Sequence, residues 1–146
     1  MTEERQKRLS KIDEECELLR DKLRNLYIEH DDIIAEDYNA KIRHDKMYKI
    51  DYYGDIYVGR IYKIWYSKYD ESFMVDFCGL RKSFTEFNDE AFCEFDAGMQ
   101  LKVGASTIGE FIENLEEISK EEFKDYFEEW ISESEANIKK WFDVEE

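Results

Sequence analysis

The chain has 146 residues, with 37 acidic side chains against 21 basic ones and a formal charge of −16. That length fits one domain, and 42% hydrophobic with 16% aromatic residues is enough for a core, which excludes a wholly disordered acidic chain. The charge disfavours direct binding of nucleic acid, no apolar run approaches the roughly 18 residues that span a bilayer, and Met1-Thr2-Glu3-Glu4-Arg5 lacks the apolar stretch of a signal peptide.

Residues 1–46 form the first segment, and 3–45 read as one long helix. Leu9, Ile12, Cys16, Leu19, Leu23, Leu26, His30 and Ile33 recur at alternating spacings of three and four, a heptad seam over four repeats. Leu18, Tyr27 and Ile34 widen the stripe, and charged residues fill the other positions. Cys16 is expected to be a small core residue. The seam is assigned to oligomerisation, with packing on the same chain or on a partner helix as the alternatives; His30 is expected to fix its register.

Residues 47–105 change period. Met47 to Tyr53 alternates, Gly54-Asp55 punctuates, and Ile56 to Tyr66 reads as a strand with Gly59 as a candidate bulge. Ser67 to Glu71 makes a hairpin connection to Phe73–Cys78. Cys78-Gly79-Leu80 reads as a turn before a strand from Arg81 to Phe87, Asn88-Asp89-Glu90 as another turn before Ala91–Phe95, and Met99–Val103 as a last short strand. Four or five short strands imply a small antiparallel sheet, either curled into an SH3-like barrel or laid on helices.

Residues 106–146 return to helix. Thr107 with Glu110 and Ser119 with Glu122 both have the capping-box spacing. The first helix is expected to bury Ile108, Phe111, Ile112, Leu115 and Ile118. The second presents Phe123, Phe127, Trp130, Ile131, Ile138, Trp141 and Phe142 at helical spacing. The fold class is therefore α+β: a long heptad helix, a small antiparallel sheet and two acidic C-terminal helices in one domain.

Most of the excess charge lies in that last segment, which holds 4 basic and 14 acidic side chains. Glu110, Glu113, Glu117, Glu121, Asp125, Glu128 and Glu129 recur three or four positions apart, which on one helix gives a carboxylate about every 6 Å. Like charges at i and i+4 cost about 0.2–0.5 kcal/mol per pair, a cost that a cationic partner relieves. A merely solvated face is the alternative. Seven tyrosines between 48 and 69 exceed what a small core needs, so some are expected at the surface.

No phosphate loop, dinucleotide fingerprint, nucleophile elbow or H-E-x-x-H motif occurs. Three widely spaced cysteines and two histidines fit neither a disulfide framework nor a zinc site, and suggest a reduced, cytoplasmic setting. No enzyme activity, no cofactor and no metal are expected. Arg60 and Lys63 beside Tyr62 and Trp65 are the candidates for holding an anionic nucleotide by charge and stacking.

The stretch Tyr57-Val58-Gly59-Arg60-Ile61-Tyr62-Lys63-Ile64, with Glu117-Ile118-Ser119-Lys120-Glu121-Glu122-Phe123, resembles patterns in the small acidic accessory proteins of phages and mobile elements. Anti-CRISPR and related anti-defence proteins are the characterised examples, and the resemblance covers the architecture of the whole chain. It implies stoichiometric binding that blocks a nucleic-acid-binding groove or sequesters a signalling nucleotide. The expected function is thus a non-enzymatic inhibitor, homodimeric and away from membranes. Its acidic C-terminal surface would mimic nucleic acid in the basic groove of a nucleic-acid-binding protein such as a CRISPR effector. A nucleotide sponge and a coiled-coil assembly adaptor are the alternatives.

Overall fold

A computed structural model describes residues 1–84 and 91–142; the expected turn at Asn88-Asp89-Glu90 and the end of the expected strand at residues 85–87 lie outside them. The elements run α1 (Glu3–Lys41), β1 (Met47–Tyr52), β2 (Asp55–Ser67), β3 (Ser72–Phe84), β4 (Ala91–Val103), α2 (Ile108–Glu113), β5 (Glu116–Ile118) and α3 (Lys120–Trp141). The α+β class follows directly. α1 has 39 residues and is about 58 Å long at 1.5 Å per residue. The Thr2 hydroxyl caps it by accepting the Arg5 N–H at 3.3 Å, while Glu3 and Glu4 in the first turn and Lys41 in the last complement the helix dipole.

The five strands form one antiparallel sheet in the order β4-β3-β2-β1-β5. Tyr53 and Gly54, both at positive φ (51° and 81°), make the two-residue turn between β1 and β2, the geometry that matches strand twist in tight hairpins. In the β2–β3 loop the Ser67 hydroxyl donates to Asp70 at 2.9 Å, and Lys102 of β4 pairs with the same carboxylate at 2.9 Å. These interactions hold Asp70 below the usual carboxylate range, with Lys102 the first cause and Ser67 the second.

Two of the expected breaks are instead strand interior. Gly79 lies within β3, directly opposite Gly59 of β2. A Cβ on Gly59 would stand 2.1 Å from the Cys78 carbonyl oxygen, and one on Gly79 2.1 Å from that of Val58. The pair of glycines therefore permits close backbone approach of β2 and β3 rather than a turn, while the β3–β4 register shifts between Phe77 and Gly79. The irregularity in β2 falls later, between Ile61 and Lys63, and β4 is one strand from Ala91 to Val103.

The sheet coils. The Tyr52 hydroxyl of β1 donates to the Lys102 carbonyl of β4 across two intervening strands, so diagonal corners meet. Of the two expected arrangements, a barrel or a sheet laid on helices, the second holds, because β4 and β5 are both edges of the ladder. The inner face packs Tyr48, Ile50, Tyr57, Ile61, Phe73, Val75, Phe77 and Leu101 against Ala35 and Ile42 at the end of α1 and Ile108 and Phe111 of α2. The outer face sets Val58, Leu80 and Ile118 against Trp130, flanked by Phe123 and Tyr126 of α3. Lys82 lies over the Trp130 ring at 5.8 Å and pairs with Glu133 at 2.8 Å. The Ser134 hydroxyl accepts the Cys93 N–H of β4 at 3.0 Å, so α3 covers part of that open edge.

β1 pairs only with residues 55–59 of β2. Beyond it the chain leaving α1 takes over that edge. Asn39 accepts the Ile64 N–H at 2.9 Å, while the His44 ring nitrogens lie 2.9 Å from the Ile61 carbonyl and 3.1 Å from that of Asn39. This docking fixes where α1 departs from the sheet.

Candidate interaction surfaces

The first surface is the free part of α1. Residues 1–27 are all exposed, Ile28 and Asp31 are half-buried, and Ile34, Ala35 and Tyr38 meet the sheet. The seam residues Leu9, Ile12, Leu19, Leu23, Leu26 and Ile33 are between 45% and 64% exposed. Cys16, expected in a core, is exposed, as are all of residues 1–27 around it. His30 is exposed too, with Nδ1 3.1 Å from the Asp31 carboxylate. Leaving six Leu and Ile side chains half uncovered is unfavourable in water: full burial of one is worth about 1.5–3 kcal/mol.

The second surface is acidic and differs from the one expected. The seven carboxylates do not share a helical face. Glu110 and Glu113 lie on α2, and Glu117 lies on β5, where Arg43 is 3.6 Å away. The cause is tertiary: residues 116–118 are drawn out as a strand by pairing with Met47–Lys49. The Thr107 capping box is also absent, since its hydroxyl donates instead to the Gly104 carbonyl at 3.2 Å. The Ser119–Glu122 box forms in full and starts α3. From there Glu121, Asp125, Glu128 and Glu135 follow one exposed line, with Glu129 beside it. Glu135 continues the line seven residues after Glu128, a gap too wide for the three-or-four spacing that marks the others in the sequence.

An apolar strip borders that line. Phe127, Ile138 and Phe142 belong to the apolar series of α3, yet all three are exposed, Phe142 at 72%. Trp130 is buried, and Phe123, Ile131 and Trp141 are half-buried. The apolar arc of α3 is wider than the part of the sheet beneath it.

The third surface is the half of the outer sheet face that α3 leaves open. Arg60, Tyr62, Lys63 and Trp65 of β2 meet there, brought together by the irregularity at Tyr62. The Trp65 ring N–H donates to Asp76 at 3.1 Å, and Gln100 donates to the other oxygen of Asp76 at 3.2 Å. A hydrogen bond with the Cys78 thiol holds the Tyr62 hydroxyl pKa above its ordinary value, with Arg60 acting in the opposite sense. Arg60 and Lys63 make no ion pair among the described residues, whereas Arg81 pairs with Asp55 at 2.9 Å and Lys82 with Glu133. Of the seven tyrosines between 48 and 69, Tyr53, Tyr62 and Tyr69 are exposed and Tyr48 and Tyr57 are buried.

Among the described residues no three His, Cys, Asp or Glu side chains converge as metal ligands, and no helix is long and apolar enough to cross a membrane. Comparison with protein-family models, with curated proteins and with solved structures finds no match. The three surfaces therefore carry the functional argument.

Proposed function

We propose that the chain is a non-enzymatic binding protein of the anti-defence type. It sets the acidic face of α3 into the basic groove of a nucleic-acid-processing protein, such as a CRISPR effector, in the cytoplasm of the host cell. It works as a homodimer joined through α1. The observation that carries this reading is the exposed line of Glu121, Asp125, Glu128 and Glu135. The first three carboxylates are about 4.5–6 Å apart along the helix, and Glu135 follows about 10.5 Å on; the closer spacing approximates that of charges on a nucleic-acid strand. The bordering Phe127 and Ile138 supply the apolar contacts that interfaces use as anchors. Reversing Glu121, Asp125 and Glu128 to lysine should abolish binding to such a partner, and raised salt should weaken the wild-type complex, since screening acts on exposed charges. Binding that survives both changes would refute the reading.

A second reading rests on the open outer face. Arg60, Tyr62, Lys63 and Trp65 share one patch there, its two cations without an ion pair among the described residues, and an anionic nucleotide could stack and pair on it. Thermal unfolding with cyclic and linear nucleotides tests this reading, because a ligand of the folded state raises the midpoint. No shift with any of them would remove it.

A further inference from the structure

Tyr53 stands where tight hairpins usually place asparagine or glycine. With Gly54 it forms the turn between β1 and β2, and its φ of 51° puts it in the left-handed region. Such turns favour Asn-Gly because a short polar side chain tolerates that backbone, and a bulky residue there is an outlier. The ring does not fill the core, since Tyr53 is 86% exposed. Strained backbone concentrates where a side chain must be held for a ligand, and the surroundings of Tyr53 show of what kind.

Tyr53 lines a cavity of about 320 Å³, within the roughly 300–1,000 Å³ of small-molecule sites. One wall is the end of β1, past the Lys49–Glu116 end of its pairing with β5, and α2 supplies the other. Tyr52 is fixed across the sheet by its hydroxyl, which donates to the Lys102 carbonyl. Its ring meets that of Tyr53 at 4.5 Å between centroids and 70° between planes, and that of Phe111 at 5.6 Å and 89°. Rings set so steeply to one another wall a box rather than stack as a slab. Ile50 and Leu115 add to the apolar lining.

The charged lining has one sign. Asp51 and Glu110 are both exposed at this cavity, and neither has an ion pair among the described residues. No lysine, arginine or histidine lines it. Anions are therefore repelled, whereas aromatic faces flanked by carboxylates attract a cation whose alkyl groups also gain from burial.

We propose that this cavity binds an organic ammonium ion. The rings of Tyr52 and Tyr53 lie against its alkyl groups with Phe111 backing them, and Asp51 and Glu110 balance its charge. A quaternary ammonium fits best, since it carries no N–H that would need an acceptor among apolar walls. That group arrives either on a free small molecule or at the end of a trimethylated lysine side chain. The cavity shares no residue with the acidic line of α3 or with the patch at Arg60, and binding there depends on neither.

The test is proton NMR of the N-methyl signal of choline, and of a peptide carrying trimethyllysine, titrated with the full chain. A saturable upfield shift is expected, because the methyl groups sit over ring faces. Tighter binding of choline assigns the site to a free small molecule, and tighter binding of the peptide to a protein side chain. The neutral isostere of choline, with a tert-butyl group in place of trimethylammonium, should bind about tenfold more weakly or worse. Tyr53→Asn suits the left-handed turn and so keeps the fold. It should weaken binding about fivefold or more, as should Asp51→Asn combined with Glu110→Gln. No saturable shift with either cation, equal binding of the neutral isostere, or undiminished binding by Tyr53→Asn would overturn the proposal.

Discussion

Replacing Leu19 and Leu26 with aspartate should dissolve the dimer and leave the sheet domain folded. In the single chain these side chains are 64% and 53% exposed, so association has about half of each left to bury. Full burial of a leucine is worth about 1.5–3 kcal/mol, which leaves about 0.75–1.5 kcal/mol per site. Four sites in the dimer lose about 3–6 kcal/mol, before any cost of placing carboxylates in the seam. At 1.4 kcal/mol per factor of ten, the dissociation constant rises about 10²- to 10⁴-fold. Sedimentation equilibrium from micromolar to a hundred micromolar reads this directly. Near-ultraviolet circular dichroism from the tryptophans should stay unchanged, because Trp65 and Trp130 lie in the sheet and its α3 packing. The far-ultraviolet helix signal should fall, since an unsupported helix in water is marginal. A double variant that associates like the wild type, or a wild type monomeric throughout, would refute the reasoning.

Other consequences concern the fold that carries these surfaces. Gly79→Ala should destabilise by about 3 kcal/mol in urea unfolding, the upper range for overpacking, because its Cβ would strike the Val58 carbonyl rather than a movable side chain. Trp130→Ala should cost about 3–5 kcal/mol and loosen α3, seen as faster amide exchange at Cys93, whose N–H depends on Ser134. Asp70 is held below its ordinary pKa by Lys102 and Ser67. Its stabilisation is therefore complete above the unfolded value of about 3.9 and is lost as pH falls through the lower folded value. Asp70→Asn should remove that part of the acid-side decline in a pH series of thermal midpoints.

The long helix was legible in the sequence because its signal is periodic and local: eight seam positions and no proline or glycine. Which part of it stays free was not legible. Ile33 and Ala35 differ in burial because the sheet approaches one side of the helix, a fact set by β2 and by Asn39 and His44. Glycine at 79 carries a local turn signal, and only its pairing with Gly59 makes it strand. The carboxylate series was read as wholly helical because Glu116, Glu117 and Ile118 have no strand-like pattern of their own; pairing with β1 overrides their propensity. That pairing divides the acidic surface, leaving the line from Glu121 to Glu135 as the part that can act as a unit. The cluster at Arg60, Tyr62, Lys63 and Trp65 was legible as a composition, and its convergence came from the irregularity at Tyr62.

The most direct measurement on the acidic face compares two baits in extracts of the native host at low salt: wild type, and the chain carrying Glu121→Lys, Asp125→Lys and Glu128→Lys. Charge reversal at these exposed sites should change stability by no more than about 0.5 kcal/mol, so both baits are folded. The wild type should retain a nucleic-acid-binding protein that added DNA or RNA displaces, and the reversed chain should not. Recovery of the same partner by both baits, or a partner that nucleic acid fails to displace, would contradict the account.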